Sequence, residues 1–220
     1  LVNDTDPDTN DVLTVISVNG ENSDLTDLTG SYGSLDWDNG GNYSYVLNNS
    51  DPTVQALGVG DSITDVFTYT ISDGHGGTDS ATLTITITGT NDLPTAVADT
   101  NTIAEDATAA VTGDLTANDI DIDTSDALTV LNVDGQTDQG VNIAGDFGTL
   151  DWDNDGNYSY TINNALATVQ ALGVGETLTD NFTYIISDGN GETSSPTLTI
   201  TITGTNDALT AIEDTNAITE

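Results

Sequence analysis

Apolar and polar residues alternate along several short stretches of the chain, which is the pattern of half-buried β-strands. The clearest stretch covers residues 82–88, where Leu83, Ile85 and Ile87 alternate with threonines. β-Branched residues on both faces of such a stretch favour strand over helix. Four more stretches share the period of two: Leu13 with Val15, Leu35 with Trp37, Tyr43 with Tyr45 and Leu47, and Phe67 with Tyr69 and Ile71.

Turn residues separate these stretches. Residues 38–41 (DNGG) predict a hairpin between the Trp37 and Tyr43 strands, and residues 72–77 (SDGHGG) predict a second hairpin. Residues 50–58 give the one helical signal, with a capping residue, Pro52 and a terminating Gly58. These elements predict an all-β chain of tandem antiparallel β-sandwiches with immunoglobulin-like architecture, each with about seven strands and one short helix.

The whole pattern occurs twice. A shift of 115 residues lays Trp152 on Trp37 without a gap, and residues 82–92 recur unchanged as residues 197–207. Roughly 60 % of the aligned positions are identical, which indicates a tandem array. We predict a first sandwich at residues 1–92 without its first strand, a complete second repeat at 93–207, and the first strand of a third at 208–220. Pro94 in the segment between repeats favours a stiff joint over a loose tether.

The charge of the chain adds most to these predictions. The chain has 37 acidic residues and no Lys or Arg, for a net charge of −37. Nucleic acid and anionic membrane surfaces would be repelled, which excludes both as partners. Two carboxylates about 4 Å apart repel each other by roughly 4 kcal/mol at an effective dielectric constant near 20. Because no basic side chain is available, clustered carboxylates need bound cations.

The missing residue types also limit the chemistry. Without Cys or Lys, neither disulfides nor Lys–Asn isopeptide bonds are available, so bound metal is the remaining cross-link that could stabilise the fold. His75 is the single histidine and its counterpart is Asn190, so we interpret it as an exposed turn residue. Nucleophile, base and oxyanion stabiliser are hard to assemble from this composition, and nothing singles out one carboxylate pair for glycoside hydrolysis. We predict that the chain is not an enzyme and has no membrane span.

Two regions concentrate carboxylates at short spacing. The first lies near the start of each repeat and consists of Asp4, Asp6, Asp8, Asp11, Asp119, Asp121, Asp123 and Asp126. The second lies at the joints and consists of Asn91, Asp92, Asp99, Glu105, Asp106, Asn206, Asp207 and Asp214. Calcium takes six to eight oxygens at about 2.4 Å, which such segments supply. We therefore predict Ca²⁺ sites; the alternative is that these are solvated turn residues, which Asp and Asn favour.

Sandwich topology predicts that the two regions meet, with residues 119–126 close to Asn206 and Asp207 at a domain boundary. A third acidic segment, residues 151–156 (DWDNDG), resembles the first half of an EF-hand loop. Its twelfth position is Ile162 rather than Glu, and strands rather than helices flank it, so we interpret it as a hairpin turn. Trp37 and Trp152 lie on strands and are predicted to be core residues rather than sugar platforms.

Residues 33–49 and 54–92 together resemble the VCBS-type repeat of large bacterial RTX adhesins. Residues 90–106 (TNDLPTAVADTNTIAED) resemble the calcium-binding linker of cadherin-like domains, whose signature has an Asx-Asp pair shortly before a Pro. The resemblance covers essentially the whole chain. It implies immunoglobulin/cadherin-like sandwiches in the extender region of an extracellular adhesin on a bacterial cell surface. It also implies calcium ligands at Asn91, Asp92 and Asp99, with Asp4, Asp6 and Asp8.

Two functions follow from these observations. The leading one is a calcium-rigidified spacer, a monomeric rod whose partners are the neighbouring repeats and whose distal ligand is bound by other domains. The alternative is a module that itself binds a glycan, a surface or a partner adhesin. The Thr84, Thr86 and Thr88 row suits a flat binding face, although alternation on a sandwich strand explains it equally well.

Overall fold

The computed structural model describes residues 1–22, 27–218 and 220. They form two compact units. Unit 1 consists of Leu1–Asp92 and Ile122–Asp126, and unit 2 consists of Leu93–Asp121 and Ala127–Glu220. Among the described residues, the regular secondary structure of both units is β-strand apart from one short helix, which confirms the all-β sandwich class.

Unit 1 has its strands in two antiparallel sheets. One sheet has the order β1-β5-β6, and the other has the order β2-β3-β4. Each of the five alternating stretches contributes a strand, although Leu13 itself lies just before β1. Both expected hairpins are present, joining β3 to β4 and β5 to β6. The strands are β1 (Thr14–Val18), β2 (Leu28–Thr29), β3 (Gly33–Trp37), β4 (Tyr43–Leu47), β5 (Ser62–Ser72) and β6 (Thr78–Thr88).

The helix α1 (Pro52–Gln55) lies in unit 1, where the sequence predicts it. Asp51 caps it by accepting a hydrogen bond of 2.8 Å from the backbone N–H of Thr53, and Pro52 occupies the first turn. These are the standard helix-starting residues. The second repeat has Leu166 and Ala167 at the equivalent positions and forms turns there, so the expectation of one short helix in each sandwich is wrong for the described residues of unit 2. The helix-starting residues Asp51 and Pro52 therefore distinguish the segment that forms a helix from the one that does not.

Unit 2 contains two further strands, each at one edge of one of its two sheets. β7 runs parallel to β15, and β8 pairs antiparallel with β12. The sheet orders are β14-β13-β15-β7, with β9 also paired to β13, and β10-β11-β12-β8. The strands are β7 (Asp99–Ala104), β8 (Val111–Asp114), β9 (Thr129–Val133), β10 (Ile143–Ala144), β11 (Gly148–Trp152), β12 (Asn157–Ile162), β13 (Thr177–Ser187), β14 (Thr193–Ser194) and β15 (Thr197–Thr203).

Each unit packs its own apolar core. Trp37 is 5 % exposed in unit 1 and Trp152 is 3 % exposed in unit 2, which confirms both as core residues. Phe67 and Phe182 are at the centre of these cores, each in edge-to-face contact with a tyrosine, Tyr45 or Tyr160. Such contacts add modestly to the hydrophobic stabilisation of burial.

A buried carboxylate fixes the loop that leads into the Trp strand of each unit. In unit 1, Asp65 accepts hydrogen bonds from the Tyr45 hydroxyl at 2.6 Å and from the Ser31 and Tyr32 backbone N–H groups. A Cβ on Gly30 would lie 2.4 Å from an Asp65 oxygen, so only glycine fits there. Burial acts to raise the pKa of Asp65, but these hydrogen bonds outweigh it and hold the pKa below its usual value.

Residues 204–218 and 220 take no regular secondary structure, and residue 219 lies outside the described residues. The assignment of residues 208–220 as the first strand of a third repeat stays a prediction, as do the repeat boundaries. Among the described residues, no helix is long and apolar enough to cross a membrane.

Candidate metal centres

Three carboxylates converge at one end of unit 1. Asp6 and Asp11 come from the loop before β1, and Asp73 comes from the loop between β5 and β6. One oxygen from each lies within 4.8 Å of the others. Two ligands that each lie about 2.4 Å from one calcium ion are at most about 4.8 Å apart, so the spacing suits a shared ion.

Backbone hydrogen bonds hold this cluster in place. The Asp8 N–H donates to Asp6 at 2.8 Å, and the Asp11 N–H donates to the Asp8 carbonyl at 3.1 Å, which folds the loop into a turn. The His75 and Gly77 N–H groups donate to Asp73. The hydrogen bond from the His75 backbone contributes most to holding the pKa of Asp73 below its usual value, which favours the anionic form of this carboxylate.

The second repeat reproduces this arrangement. Asp121 and Asp188 stand at the positions of Asp6 and Asp73, and they too offer oxygens within 4.8 Å of each other. Asp188 is 4 % exposed and accepts backbone hydrogen bonds from Asn190, Gly191 and Glu192. Asp73 and Asp188 were not among the predicted ligands, and residues 72–77 were predicted only to form a hairpin. Their presence at matching positions in both copies was the signal that could have identified them.

A second set of predicted ligands meets within unit 1. The Asp92 N–H donates to an Asp123 oxygen at 2.8 Å, and Asp123 is 1 % exposed. The Thr124 N–H donates to the Ala56 carbonyl at 3.3 Å, which ties the segment Ile122–Asp126 to the end of α1. The structure thus brings Asp92 and Asp123 together, with Asn91 half-buried beside Asp92 in the chain.

Glu105 in unit 2 is the most buried carboxylate among the described residues, with no exposed surface. Its Oε1 accepts hydrogen bonds from the Thr205 N–H at 2.5 Å and the Thr205 hydroxyl at 3.1 Å. The same hydroxyl bonds to Asp106 at 3.1 Å. The buried Oε2 of Glu105 has no hydrogen-bond partner among the described residues. A buried carboxylate oxygen without a partner is costly, and a cation would offset that cost.

Asp99, Asp114 and Asp119 form a further acidic group in unit 2. The Tyr184 hydroxyl donates to Asp99 at 2.5 Å, and the Val97 N–H donates to Asp119 at 2.7 Å. Burial is the main cause that raises the pKa of Asp99 and of Asp119, and neighbouring negative charge adds to it. In unit 1, Tyr69 donates to Asp4, the counterpart of Asp119, at 3.0 Å.

One expected contact is not formed. Asp121 lies beside Asp188, which directly follows β13 at the end of the sheet where β15 starts, whereas Asn206 follows the end of β15. A seven-residue strand spans roughly 23 Å, so Asp121 and Asn206 lie at opposite ends of unit 2. The predicted contact between Asp121 and Asn206 is therefore wrong, because β15 crosses the sheet and leaves it at the end opposite to its start. Asp207 and Asp214 are exposed.

The remaining candidates behave as interpreted. In the EF-hand-like segment, the Asp153 carboxylate accepts hydrogen bonds from the backbone N–H and the side-chain amide of Asn157, which makes a hairpin turn. His75 is exposed, and its ring lies 3.4 Å from an Asp11 oxygen.

A family model places this architecture among known proteins. The bacterial cadherin-like domain matches residues 1–89 and again residues 91–204. The chain belongs to the bacterial cadherin-like domain family. This confirms the cadherin-like part of the resemblance, and the family is an adhesion-type one rather than an enzyme family.

Among the proteins that resemble this cadherin-like chain are a lectin and two protocadherins. Calcium-binding lectin RapA2 of Rhizobium johnstonii is 34 % identical over 196 residues, which cover 86 % of this chain and 78 % of the lectin. Mouse protocadherin PcdhgC3 EC1-3 is 16 % identical with a TM-score of 0.43, over 87 % of this chain and 54 % of that one. The chain thus spans about half the length of that structure. Human mucin-like protocadherin EC1-2 is 12 % identical with a TM-score of 0.49, over 88 % and 84 %.

Proposed function

We propose that this chain is a pair of calcium-rigidified spacer repeats in a bacterial cell-surface adhesin, where they project a distal ligand-binding region from the cell. The observation that carries the proposal is the recurrence of one carboxylate cluster in both repeats of a chain without Lys or Arg. Such clusters repel themselves unless a cation is bound. The name of the lectin relative, which includes calcium binding, supports the choice of metal.

In unit 1, Asp6, Asp11 and Asp73 would hold an ion. In unit 2, Asp121 with Asp188, and Glu105 with Asp106, would do so. At each site, bound calcium supplies positive charge and draws the carboxylate oxygens of that site into one coordination shell. Carboxylates among residues 89–106 that share a bound ion would then be held by it instead of repelling each other. Extracellular modules bind calcium at about 10⁻⁴ to 10⁻³ M, so the joint would order outside the cell and stay loose during export.

The RTX context and the VCBS repeat type belong to this proposal, as does localisation at the bacterial cell surface. They are supported by the resemblance of residues 33–49 and 54–92 and by the family. A spacer also explains why the chain repeats itself, since similar units add length without a new binding site.

Small-angle X-ray scattering tests the spacer role. The maximum dimension is measured in chelator and again in about 1 mM calcium, within the affinity range of extracellular modules. We expect calcium to convert a broad distribution of distances into a narrow, extended one. If the two scattering curves coincide and the melting temperature does not move, the acidic loops are solvated turns and the spacer proposal is wrong.

Calorimetric titration with calcium then assigns the ligands. Asp11→Asn and Asp73→Asn should each remove binding heat from unit 1. Asp36→Asn is the matched control, because Asp36 is an exposed strand residue outside every cluster. Equal losses in all three variants would show only a general effect of charge.

A second candidate function is carbohydrate binding by the repeats themselves, and the lectin relative is the observation that favours it. Both tryptophans are buried, so Tyr43, 53 % exposed, is the best aromatic platform. Titration of the calcium-loaded chain with a panel of oligosaccharides tests this candidate. Saturable binding that Tyr43→Ala abolishes would support it over a pure spacer.

A further inference from the structure

Asparagine is followed by glycine at three places in the chain, and each place is a loop between strands. In such a pair the glycine backbone nitrogen can attack the asparagine carboxamide, because glycine has no Cβ to keep the two groups apart. The attack removes the side-chain nitrogen as ammonia, which is deamidation. The three pairs are Asn19-Gly20 after β1, Asn39-Gly40 between β3 and β4, and Asn190-Gly191 between β13 and β14.

Hydrogen bonds hold the Asn19 side chain away from this reaction. The Asn19 N–H donates to the Thr68 carbonyl at 2.7 Å, and the Asn19 Oδ1 accepts from the Thr68 N–H at 2.9 Å. Asp134 at the equivalent position of unit 2 makes the same two bonds with Thr183, at 2.7 and 2.8 Å. The Asn19 carboxamide has to give up Thr68 before it can meet the Gly20 nitrogen. The structure therefore protects this pair.

The loop that contains Asn190 is ordered around a buried carboxylate. Asp188 is 4 % exposed and accepts hydrogen bonds from the Asn190 N–H at 2.7 Å and from the Gly191 N–H at 3.1 Å. The Gly191 nitrogen is the atom that would attack, and it loses this bond when it turns toward the carboxamide. This pair is therefore protected through its backbone.

Asn39 lacks both kinds of protection. Its side chain is exposed, and its carboxamide has no hydrogen bond to another described residue. Its backbone carbonyl accepts from the Val15 N–H at 3.0 Å, which fixes the main chain and leaves the side chain free. The Gly40 N–H lies near the Asp38 carboxylate, but that carboxylate is half-buried and bonds mainly to Asn42. The Asn39 carboxamide and the attacking nitrogen can therefore meet.

Unit 2 shows that this exposure belongs to the turn itself. Asn154 stands at the position of Asn39, is exposed, and accepts from the Val130 N–H at 2.9 Å. The next residue is Asp155 rather than glycine, and it is exposed as well. A side chain on that residue crowds its own backbone nitrogen, which slows the attack. The two units thus share the turn and differ at the residue that supplies the attacking nitrogen.

We propose that Asn39 is a deamidation site and that unit 2 lacks one at the equivalent turn. The Gly40 nitrogen bonds to the Asn39 Cγ and loses its proton, the Cγ–Nδ2 bond breaks, and ammonia leaves. Water then opens the resulting succinimide ring. Attack of water at Cγ gives aspartate, and attack at the main-chain carbonyl carbon gives isoaspartate. Water is the only other reactant.

The two products should affect unit 1 differently. Aspartate keeps the backbone and adds a negative charge at an exposed position. Isoaspartate adds a methylene group to the main chain of a turn that is closed by a 2.9 Å hydrogen bond from the Gly41 N–H to the Asp38 carbonyl. It also converts the carbonyl that anchors Val15 into a free carboxylate. Isoaspartate should therefore weaken the β3–β4 hairpin and lower the melting temperature of unit 1, whereas aspartate should not.

Mass spectrometry of the aged chain tests the proposal. The folded chain is aged in mildly alkaline buffer with chelator, then denatured and digested with chymotrypsin, since a chain without Lys or Arg has no trypsin sites. Cleavage after Trp37 and Tyr43 releases residues 38–43. We expect this peptide to exchange NH2 for OH and to separate into aspartate and isoaspartate forms. Asn19 and Asn190 should react at least about tenfold more slowly, a difference in barrier height of about 1.4 kcal/mol.

Matched variants exchange the turns of the two units. Gly40→Asp copies unit 2 and should slow the reaction of Asn39 at least about tenfold. Asp155→Gly is the reciprocal change and should make Asn154 reactive. Gly40 does not have a positive φ, and Asp155 occupies the same place in unit 2, so both variants should fold.

The melting temperature separates the two products. Trp152→Phe leaves Trp37 as the fluorescent reporter of unit 1. In that background the aged chain is compared with fresh Asn39→Asp, which carries the aspartate product alone. We expect the aged chain to melt at a lower temperature than Asn39→Asp, by a shift that grows with its isoaspartate content.

Three outcomes overturn the proposal. One is an Asn39 that stays intact for as long as all three pairs take to react in the denatured chain. The second is an equal rate at Asn19, Asn39 and Asn190 in the folded chain, since the loops then give no protection. The third is a Gly40→Asp variant that reacts as fast as the original chain. These measurements are made without calcium, so the spacer proposal stands or falls separately.

Discussion

Units 1 and 2 share most of their sequence and differ most in how deeply equivalent core residues are buried. Leu198 and Ile200 of β15 have no exposed surface, whereas Leu83 and Ile85 of β6 are half-buried. Tyr158 is 5 % exposed and Tyr43 is 53 % exposed. The residues are identical in each pair, so the difference comes from β7 and β8, which cover the core of unit 2. Burial here is a property of the neighbouring strand rather than of the residue.

The two tryptophans make this comparison measurable. Each is buried in its own unit, so Trp152→Phe leaves fluorescence that reports unit 1, and Trp37→Phe leaves fluorescence that reports unit 2. Denaturant unfolding of these two backgrounds gives a separate free energy for each unit.

The largest expected effect is a matched pair of cavity mutations. Leu198→Ala should lower the free energy of unfolding of unit 2 by about 3 kcal/mol, because a fully buried leucine leaves a cavity. Leu83→Ala should cost unit 1 only about 1 kcal/mol, because its side chain already contacts solvent. The two single-tryptophan backgrounds measure both values. Equal losses would show that Leu83 is as deeply buried in solution as Leu198.

The buried Asp–Tyr pairs give the next effect, and they should act alike in the two units. Asp65→Asn and Asp180→Asn should each cost about 2 kcal/mol, because each carboxylate accepts one tyrosine and two backbone hydrogen bonds. A much larger loss in one unit would contradict the structural equivalence of the two loops.

The Asp65 pair also predicts a pH dependence for unit 1. The folded-state pKa of Asp65 lies below its unfolded value of about 3.9, so the carboxylate stabilises unit 1 fully above that pH. This contribution is lost as the pH falls through the lower folded-state pKa. The stability difference between the original chain and Asp65→Asn should therefore shrink below about pH 4. Denaturant unfolding at a series of pH values from about 2 to 6 measures it.

Glu105→Gln should change the calcium-dependent stability of unit 2 and leave that of unit 1 unchanged. If Glu105 binds an ion at about 10⁻⁴ M, 1 mM calcium stabilises unit 2 by about 1.4 kcal/mol through this site. The variant should lose that increment in unit 2 and leave the calcium response of unit 1 unchanged. In chelator it should be as stable as the original chain or more so, because a buried anion is removed. An unchanged calcium response of unit 2 would exclude Glu105 as a ligand.

The smallest effect concerns α1, which only unit 1 forms. Asp51→Ala removes the cap and should cost unit 1 about 1 kcal/mol. Leu166→Asp in the second repeat is the reciprocal change, and with Ala167→Pro it should introduce a short helix there. Circular dichroism and the Trp37 signal measure the two changes. If Asp51→Ala is neutral, the turn is held by the burial of Val54 rather than by its cap.

The sequence by itself determined the main strands, the hairpins, the helix of unit 1 and the place of both tryptophans in the cores. Alternation with a period of two fixes which side chains face inward, and Gly and Asp at the turns fix where the chain reverses. Asp51 and Pro52 predicted a helix that Leu166 and Ala167 do not form. The acidic loops were likewise visible as Asp4 to Asp11 and their repeat, because ligand-rich segments are local in sequence.

Only the tertiary structure decided which carboxylates meet and which core residues are covered. Asp73 joins Asp6 and Asp11 because the β5–β6 hairpin ends beside the loop before β1, and no local spacing encodes that contact. Asp121 meets Asp188 rather than Asn206 for the same reason. Leu83 and Leu198 stand in identical sequences and differ in burial because hydrophobic burial depends on the strand packed against them. Local preferences are written in adjacent residues, whereas packing and coordination depend on residues brought together from far along the chain.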